Sequence, residues 1–152
     1  MDINVKIKQL SDTAIIPTYG SGNAACLDLY ADFQGDTTSQ YILPHKTLKI
    51  QTGFAFQPPE NYCGLIFARS GLATKNGLRP ANCVGVADAD YTGEYIVALH
   101  NDTDKIQYVH HGDRIAQLMF IETNKITLEI VEELEETERN SGGFGSTGQW
   151  KK

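Results

Sequence analysis

Apolar residues recur at every second position in one stretch of the chain after another: Ile3, Val5 and Ile7; Leu27 and Leu29; Leu48 and Ile50; Tyr95, Val97 and Leu99; Ile115 to Ile121; and Ile126, Leu128 and Ile130. A period of two places alternate side chains on opposite faces of an extended backbone, so each stretch predicts a strand with one buried face. Turn-forming residues stand between these stretches: Tyr19-Gly20-Ser21-Gly22-Asn23, Gln34-Gly35-Asp36, Pro44-His45, Pro58-Pro59-Glu60-Asn61, Asn76-Gly77 and His111-Gly112-Asp113. Many short strands so punctuated predict an all-β domain, a barrel or jelly roll. Helical signal is thin. Ser70 to Lys75 is long enough for one short turn, and the acidic stretch from Val131 to Glu138 reads equally as a loose helical turn or as extended chain.

At 152 residues the chain has the size of one domain and can bury a core without disulfides or a structural metal. Its hydrophobic content of 41% and charged content of 21% exclude disorder or a coiled coil as an account of the whole. The apolar runs are too short for membrane spans, and Met1 to Asn4 leads straight into charged sequence without a signal region, so a cytoplasmic protein without a membrane partner is expected. Cys26, Cys63 and Cys83 match neither a disulfide framework nor a C-x-x-C motif, and reduced, partly buried thiols are expected. A net charge of -6 argues against nucleic acid as a partner, but six of the 19 acids fall between Glu129 and Glu138. The remainder is neutral, so the acidity is a local feature that says little about substrate. Neither a repeat nor an interdomain linker is present. Residues 1–138 are taken as the folded domain and 139–152 as a flexible arm, because Asn140 to Gly148 is rich in Gly, Ser and Thr with one aromatic, Phe144.

Four constellations carry chemically useful groups. Gly143-Phe144-Gly145-Ser146-Thr147-Gly148 has the form G-x-G-x-x-G, yet only four residues follow it, too few for the helix a dinucleotide fingerprint requires. What remains is a stretch of backbone N–H groups and hydroxyls near Arg139 that either folds over phosphates or is simply a disordered terminus. Arg69-Ser70-Gly71-Leu72-Ala73, after the strand-like Cys63 to Phe67, offers a bidentate cation and a hydroxyl suited to phosphate. A surface Arg ahead of a helix cap would look the same. In Gly85 to Glu94, the pair Asp88 and Asp90 shares one face of an extended segment, spaced to share a metal or to act as base and orienting group. A hairpin tip also favours Asp, Tyr and Gly. Finally, Gly112-Asp113-Arg114-Ile115-Ala116-Gln117 runs from a turn into a strand, and Arg114 and Gln117 read either as ligands or as buried, paired groups.

Taken in order, these segments resemble the five motifs of the trimeric deoxyuridine triphosphate nucleotidohydrolase (dUTPase) family. Ala25 to Leu29 resembles the first, Arg69 to Ala73 the second, Gly85 to Glu94 the third, Gly112 to Gln117 the fourth and Arg139 to Gly148 the fifth, with matching spacing over residues 17–148. The chain departs from the usual pattern at Cys26, Ala68, Ala87, Thr92 and Asn140, where Gly, Pro, Ile, Arg and Gly are common.

The resemblance implies a distorted jelly-roll β-barrel assembled as a homotrimer, with active sites built from more than one subunit. The implied reaction is dUTP plus water giving dUMP and pyrophosphate, which keeps uracil out of DNA and supplies dUMP. By resemblance, Asp88 is the base holding the water. Arg69, Ser70, Gly71 and Gln117 grip the phosphates, and Mg²⁺ is held mainly by those phosphates with Asp28 acting on it through water. Asn82, Val86 and Ile96 lie on the hairpin whose backbone reads uracil, and Tyr91 lies under the deoxyribose. Phe144 stacks on the base, while Arg139, Gly145, Ser146 and Thr147 close over the terminal phosphate. The dCTP deaminases share this fold and several motifs, so a deaminase, or an enzyme joining both activities, is the alternative; a non-catalytic nucleotide binder or interaction module is a further one. The Gly-rich tail weighs toward the dUTPase.

Overall fold

A computed structural model describes residues 3–143. Twelve strands and one helix follow in the order β1 (Lys6–Gln9), β2 (Thr18–Tyr19), β3 (Leu27–Tyr30), β4 (Ser39–Ile42), β5 (Thr47–Ile50), β6 (Phe54–Gln57), β7 (Tyr62–Phe67), α1 (Ser70–Asn76), β8 (Leu78–Pro80), β9 (Gly85–Ala87), β10 (Val97–Asn101), β11 (Gln107–His110) and β12 (Arg114–Glu122). They form four antiparallel sheets, in the orders β1-β6, β5-β10-β8, β11-β4 and β2-β3-β12-β7-β9. This is the all-β jelly-roll architecture that the alternating pattern predicts.

The inward residues of the alternating strands make one core. Leu29, Ile50, Val97, Leu99, Ile115 and Leu118 are essentially without exposure, and Phe54, Phe56 and Tyr95 add large rings to the same cluster. Strand β6 is buried at Phe54, Ala55 and Phe56 alike, so it shows no alternation and is not evident from periodicity. The helix α1 ends where Gly77 takes a left-handed φ of 63°, its N–H returning to the Ala73 and Leu72 carbonyls. A Cβ there would lie 2.4 Å from Thr103 Cγ2, so the Asn76-Gly77 signal marks both a helix cap and a close contact. Asn101, fully buried, holds the following turn: its Nδ2 donates to the Ile42 and Lys105 carbonyls, and its Oδ1 accepts from Thr103 N–H and Oγ1.

Two expectations are corrected. The first strand begins at Lys6, leaving Ile3 and Val5 outside it. Ile126, Leu128 and Ile130 form no strand and are 78%, 85% and 100% exposed, because among the described residues no strand pairs with them. Of the two readings of Val131 to Glu138 the non-helical one holds, and the stretch is exposed. The thiols are free, with Cys63 buried, Cys26 intermediate and Cys83 exposed, so partial burial holds for only some of them.

Candidate active site

Strand β9 lies at the edge of the five-stranded sheet and, among the described residues, pairs only with β7, through Gly64↔Ala87, Leu65↔Val86 and Ile66↔Gly85. Its outer N–H and C=O groups are therefore left for a ligand, the arrangement by which an edge strand reads hydrogen-bonding patterns. Beside it lies a cleft of about 250 Å³ that brings together Asn82, Gly85, Val86, Asp88, Tyr91 and Ile96, with Ile66, Ala87, Glu94 and Tyr95 completing the wall. Six positions marked in the third motif and its flanks thus converge on one nucleoside-sized hollow.

The turn that closes this cleft is braced from behind. The Tyr91 hydroxyl donates to the Glu94 carbonyl at 2.9 Å, and its ring lies 6.0 Å from that of Tyr95 at an interplanar angle of 29°. The Glu94 carboxylate accepts from Gly53 N–H at 2.8 Å and from Gln51 Nε2 at 3.3 Å, while Thr52 Oγ1 donates to the Tyr95 carbonyl at 2.6 Å. Gly53 has a φ of 71°, and a Cβ at this position would lie 2.3 Å from Ala14 Cβ, so the corner receiving Glu94 requires glycine. Tyr91 is therefore a partly exposed ring on a fixed mount.

A second cluster lies three strands across the same sheet. Asp28 on β3 pairs with Gln117 on β12, and Gln117 pairs in turn with Phe67 on β7. Two residues beyond Phe67, Arg69 donates through Nε to Asp28 Oδ1 at 3.0 Å, and Arg114 donates through Nη1 to Asp28 Oδ2 at 3.2 Å. The pairing register of β12 shifts between Arg114 and Ala116, an irregularity of the kind that re-aims a side chain. The Asp28 side chain is 5% exposed, against 25% for Arg69 and 48% for Arg114, so one buried carboxylate holds two outward-facing guanidiniums. The trio carries a net positive charge and suits an anion. Ser70 and Gly71 open α1 beside it, both exposed. The surface Arg and helix-cap reading of this segment is not borne out, since Arg69 makes no side-chain cap and is tied to Asp28.

The cleft and the arginine cluster line separate hollows that share no residue. Arg139 is exposed, its Nε donating to the Gly142 carbonyl at 2.7 Å within a local turn. Phe144, Gly145, Ser146 and Thr147 lie outside the described residues. The pairing of Arg114 with Asp28, the anchoring by Glu94 and the place of Tyr95 in the cleft wall had no signal in the sequence beyond residue type. Burial raises the Cys26 thiol above its ordinary range, with the Asp28 carboxylate as a smaller cause.

An all-β fold carrying an edge-strand cleft and, three strands away, an arginine–carboxylate cluster suited to an anion offers the two kinds of contact a nucleotide needs. The dUTPase family model matches residues 12–148, and the chain belongs to that family. It is 42% identical over 146 residues to the deoxyuridine 5'-triphosphate nucleotidohydrolase of Syntrophotalea carbinolica, covering 96% of this chain and 97% of that one. The enzyme of the same name from Kluyveromyces lactis is 41% identical over 150 residues, covering 96% and 95%. Among solved structures, the Staphylococcus bacteriophage 80alpha dUTPase with dUpNHpp superposes with a TM-score of 0.84 at 26% identity, covering 95% of this chain and 98% of that one.

Proposed function

We propose that the protein hydrolyses dUTP to dUMP and pyrophosphate, with Asp88 as the general base. The observation that carries this reading is the cleft that gathers Asn82, Val86, Asp88, Tyr91 and Ile96 on an edge strand. In the attack, a water oxygen bonds to the α-phosphorus, its proton passes to the Asp88 carboxylate, and the bond from the α-phosphorus to the bridging oxygen breaks to release pyrophosphate. Asp88 is exposed at the cleft and free to meet that water.

Selectivity follows from the same wall. Backbone groups of β9, Asn82 and the segment at Ile96 read the uracil edge, and cytosine inverts the donor and acceptor at its 4-position, leaving those groups unpaired. The methyl of thymine is refused by volume. The Tyr91 ring under the deoxyribose leaves no space for a 2′-hydroxyl. Arg69, Ser70, Gly71 and Gln117 hold the phosphates. Arg139, Gly145, Ser146 and Thr147 close over the terminal one, and Phe144 stacks on the base. Residues 1–138 form the catalytic domain and 139–152 its closing arm.

Among the described residues, no three His, Cys, Asp or Glu side chains converge to hold a metal, and Asp28 is already engaged by two arginines. The residues present would fit Mg²⁺ only as an ion carried in by the substrate phosphates, with Asp28 acting on it through water; when bound, the ion would neutralise phosphate charge. A phage phi11 dUTPase of S. aureus, 23% identical with a TM-score of 0.77 over 88% of this chain and 99% of that one, is described with a structural Mg(II) ion.

Assembly as a homotrimer joins the cleft of one subunit to the arginine cluster of another. Two features support it: the exposed alternating residues Ile126, Leu128 and Ile130, and an apolar groove of about 330 Å³ bounded by Ile7, Ile16, Leu27 and Phe120. Among the described residues, no helix is long and apolar enough to cross a membrane. The proposed setting is the cytoplasm, with neither membrane nor nucleic acid as a partner. The test is Asp88→Asn: it should fold, assemble and bind dUTP while turnover falls at least about a hundredfold. Near-parental turnover would remove Asp88 from its role and make Asp90 the next candidate.

A further inference from the structure

A ring excludes an added hydroxyl by volume only when it cannot step aside. Tyr91 is 47% exposed, on a turn closed by its N–H donating to the Asp88 carbonyl at 3.1 Å, and an exposed side chain moves readily between rotamers unless its neighbours hold it. What holds this ring lies two and three residues further along the same turn.

Gly93 is the seat. A Cβ built on it would be 2.7 Å from the Tyr91 hydroxyl oxygen, 2.8 Å from Cζ and 3.0 Å from Cε2, and these are the three nearest atoms. Gly93 is not among the glycines of positive φ, which are Gly35, Gly53, Gly77 and Gly112. Its backbone would therefore accept another residue, and the need for glycine comes from the ring packed against it.

Glu94 is the tether. Its carbonyl accepts from the Tyr91 hydroxyl at 2.9 Å, so the far end of the ring is tied to the backbone of residue 94. That backbone is held in turn, because the Glu94 carboxylate accepts from Gly53 N–H at 2.8 Å and from Gln51 Nε2 at 3.3 Å, and Ala55 and Glu94 form an antiparallel bridge. The buried Tyr95 ring, 6.0 Å away, flanks Tyr91 as well.

We propose that Gly93 and Glu94 are positioning residues for sugar selectivity: they fix the Tyr91 ring as the floor of the deoxyribose subsite, and rejection of a 2′-hydroxyl depends on them through that ring. This rests on the reading of Tyr91 as the residue beneath the deoxyribose.

The test is the ratio of kcat/KM for dUTP to that for UTP, which a loss of stability alone does not move because it lowers both alike. Gly93→Ala puts a methyl into the seat of the ring and should narrow the ratio at least about tenfold, chiefly through a raised KM for dUTP. Tyr91→Phe and Glu94→Ala release the tether from its two ends. Each should narrow the ratio about threefold, with kcat/KM for UTP rising, and the two together should do little more than either, because they cut one chain of hydrogen bonds. Glu94→Gln keeps an oxygen for Gly53 N–H and should restore most of the parental ratio. Should Gly93→Ala fail to fold, Tyr91→Phe and Glu94→Ala decide. Parental ratios in those variants, with Tyr91→Ala still narrowing the ratio, would overturn the seat and tether and leave the role of Tyr91 standing. An unchanged ratio in Tyr91→Ala would overturn both.

Discussion

Replacing Asp28 by Ala is the change that most directly separates the two roles open to that residue. The carboxylate is nearly buried and accepts from Arg69 at 3.0 Å and from Arg114 at 3.2 Å. Hydrogen bonds to a charged group contribute about 1.5–3 kcal/mol each, which would give a sum near 5 kcal/mol. Arg114 is half exposed and Arg69 one quarter exposed, so both recover water when the carboxylate is gone. The expected loss is therefore about 2–4 kcal/mol. For a chain of this length that lowers the melting midpoint by roughly 5–15 °C, compared at equal protein concentration because the proposed assembly would couple to unfolding. The two guanidiniums also lose their common anchor, so binding of dUMP measured by calorimetry in EDTA should weaken at least about tenfold. If Asp28 acted only on the metal, the metal-free measurement would not change. A midpoint within about 2 °C of the parent, together with unaltered dUMP binding in EDTA, would show that the two ion pairs neither stabilise the fold nor hold the guanidiniums for the phosphate.

Three further outcomes are expected. Tyr91→Ala should narrow the ratio of kcat/KM between dUTP and UTP, because the ring braced by Glu94 and Tyr95 no longer excludes a 2′-hydroxyl; an unchanged ratio would make the ring a packing element only. Deleting residues 139–152 should leave the fold intact, since β12 ends at Glu122, while turnover collapses and the loss of Phe144 stacking alone removes about 1–3 kcal/mol; parental turnover would contradict the closing role of the arm. Changing Ile126, Leu128 and Ile130 together to Ser should shift the protein toward monomer in sedimentation or light scattering without unfolding it, because those side chains are exposed within the subunit.

The strands β5 and β10 were legible because their alternate residues differ in burial and that asymmetry is written as alternation, while β3 and β12 keep an apolar alternation although Asp28 and Ala116 on their other face are buried too. Strand β6 was hidden by being buried on both faces. The alternation at Ile126 to Ile130 misled for the opposite reason: none of the described residues pairs with it, and its apolar side chains stay exposed. The site divided in the same way. Asn82, Val86, Asp88, Tyr91 and Ile96 fall within fifteen residues of one another, so a local motif could collect them, and the cleft does bring them together. Asp28, Arg69 and Arg114 lie 41 and 86 residues apart as hydrogen-bonded pairs, and only the order of strands β3, β12 and β7 makes them neighbours. Tyr95 stood in an apolar alternation and read as core, which it is; that its hydroxyl has no partner became visible only once the ring was packed.

Base and sugar selectivity are measured by pyrophosphate release from purified protein with dUTP, dCTP, dTTP and UTP in parallel, with ammonia followed in the same samples. Pyrophosphate should appear rapidly from dUTP and far more slowly from the other three, and no ammonia should form. Release of ammonia from dCTP, or equal rates with dTTP or UTP, would contradict a dUTP hydrolase whose edge strand reads uracil and whose Tyr91 reads deoxyribose.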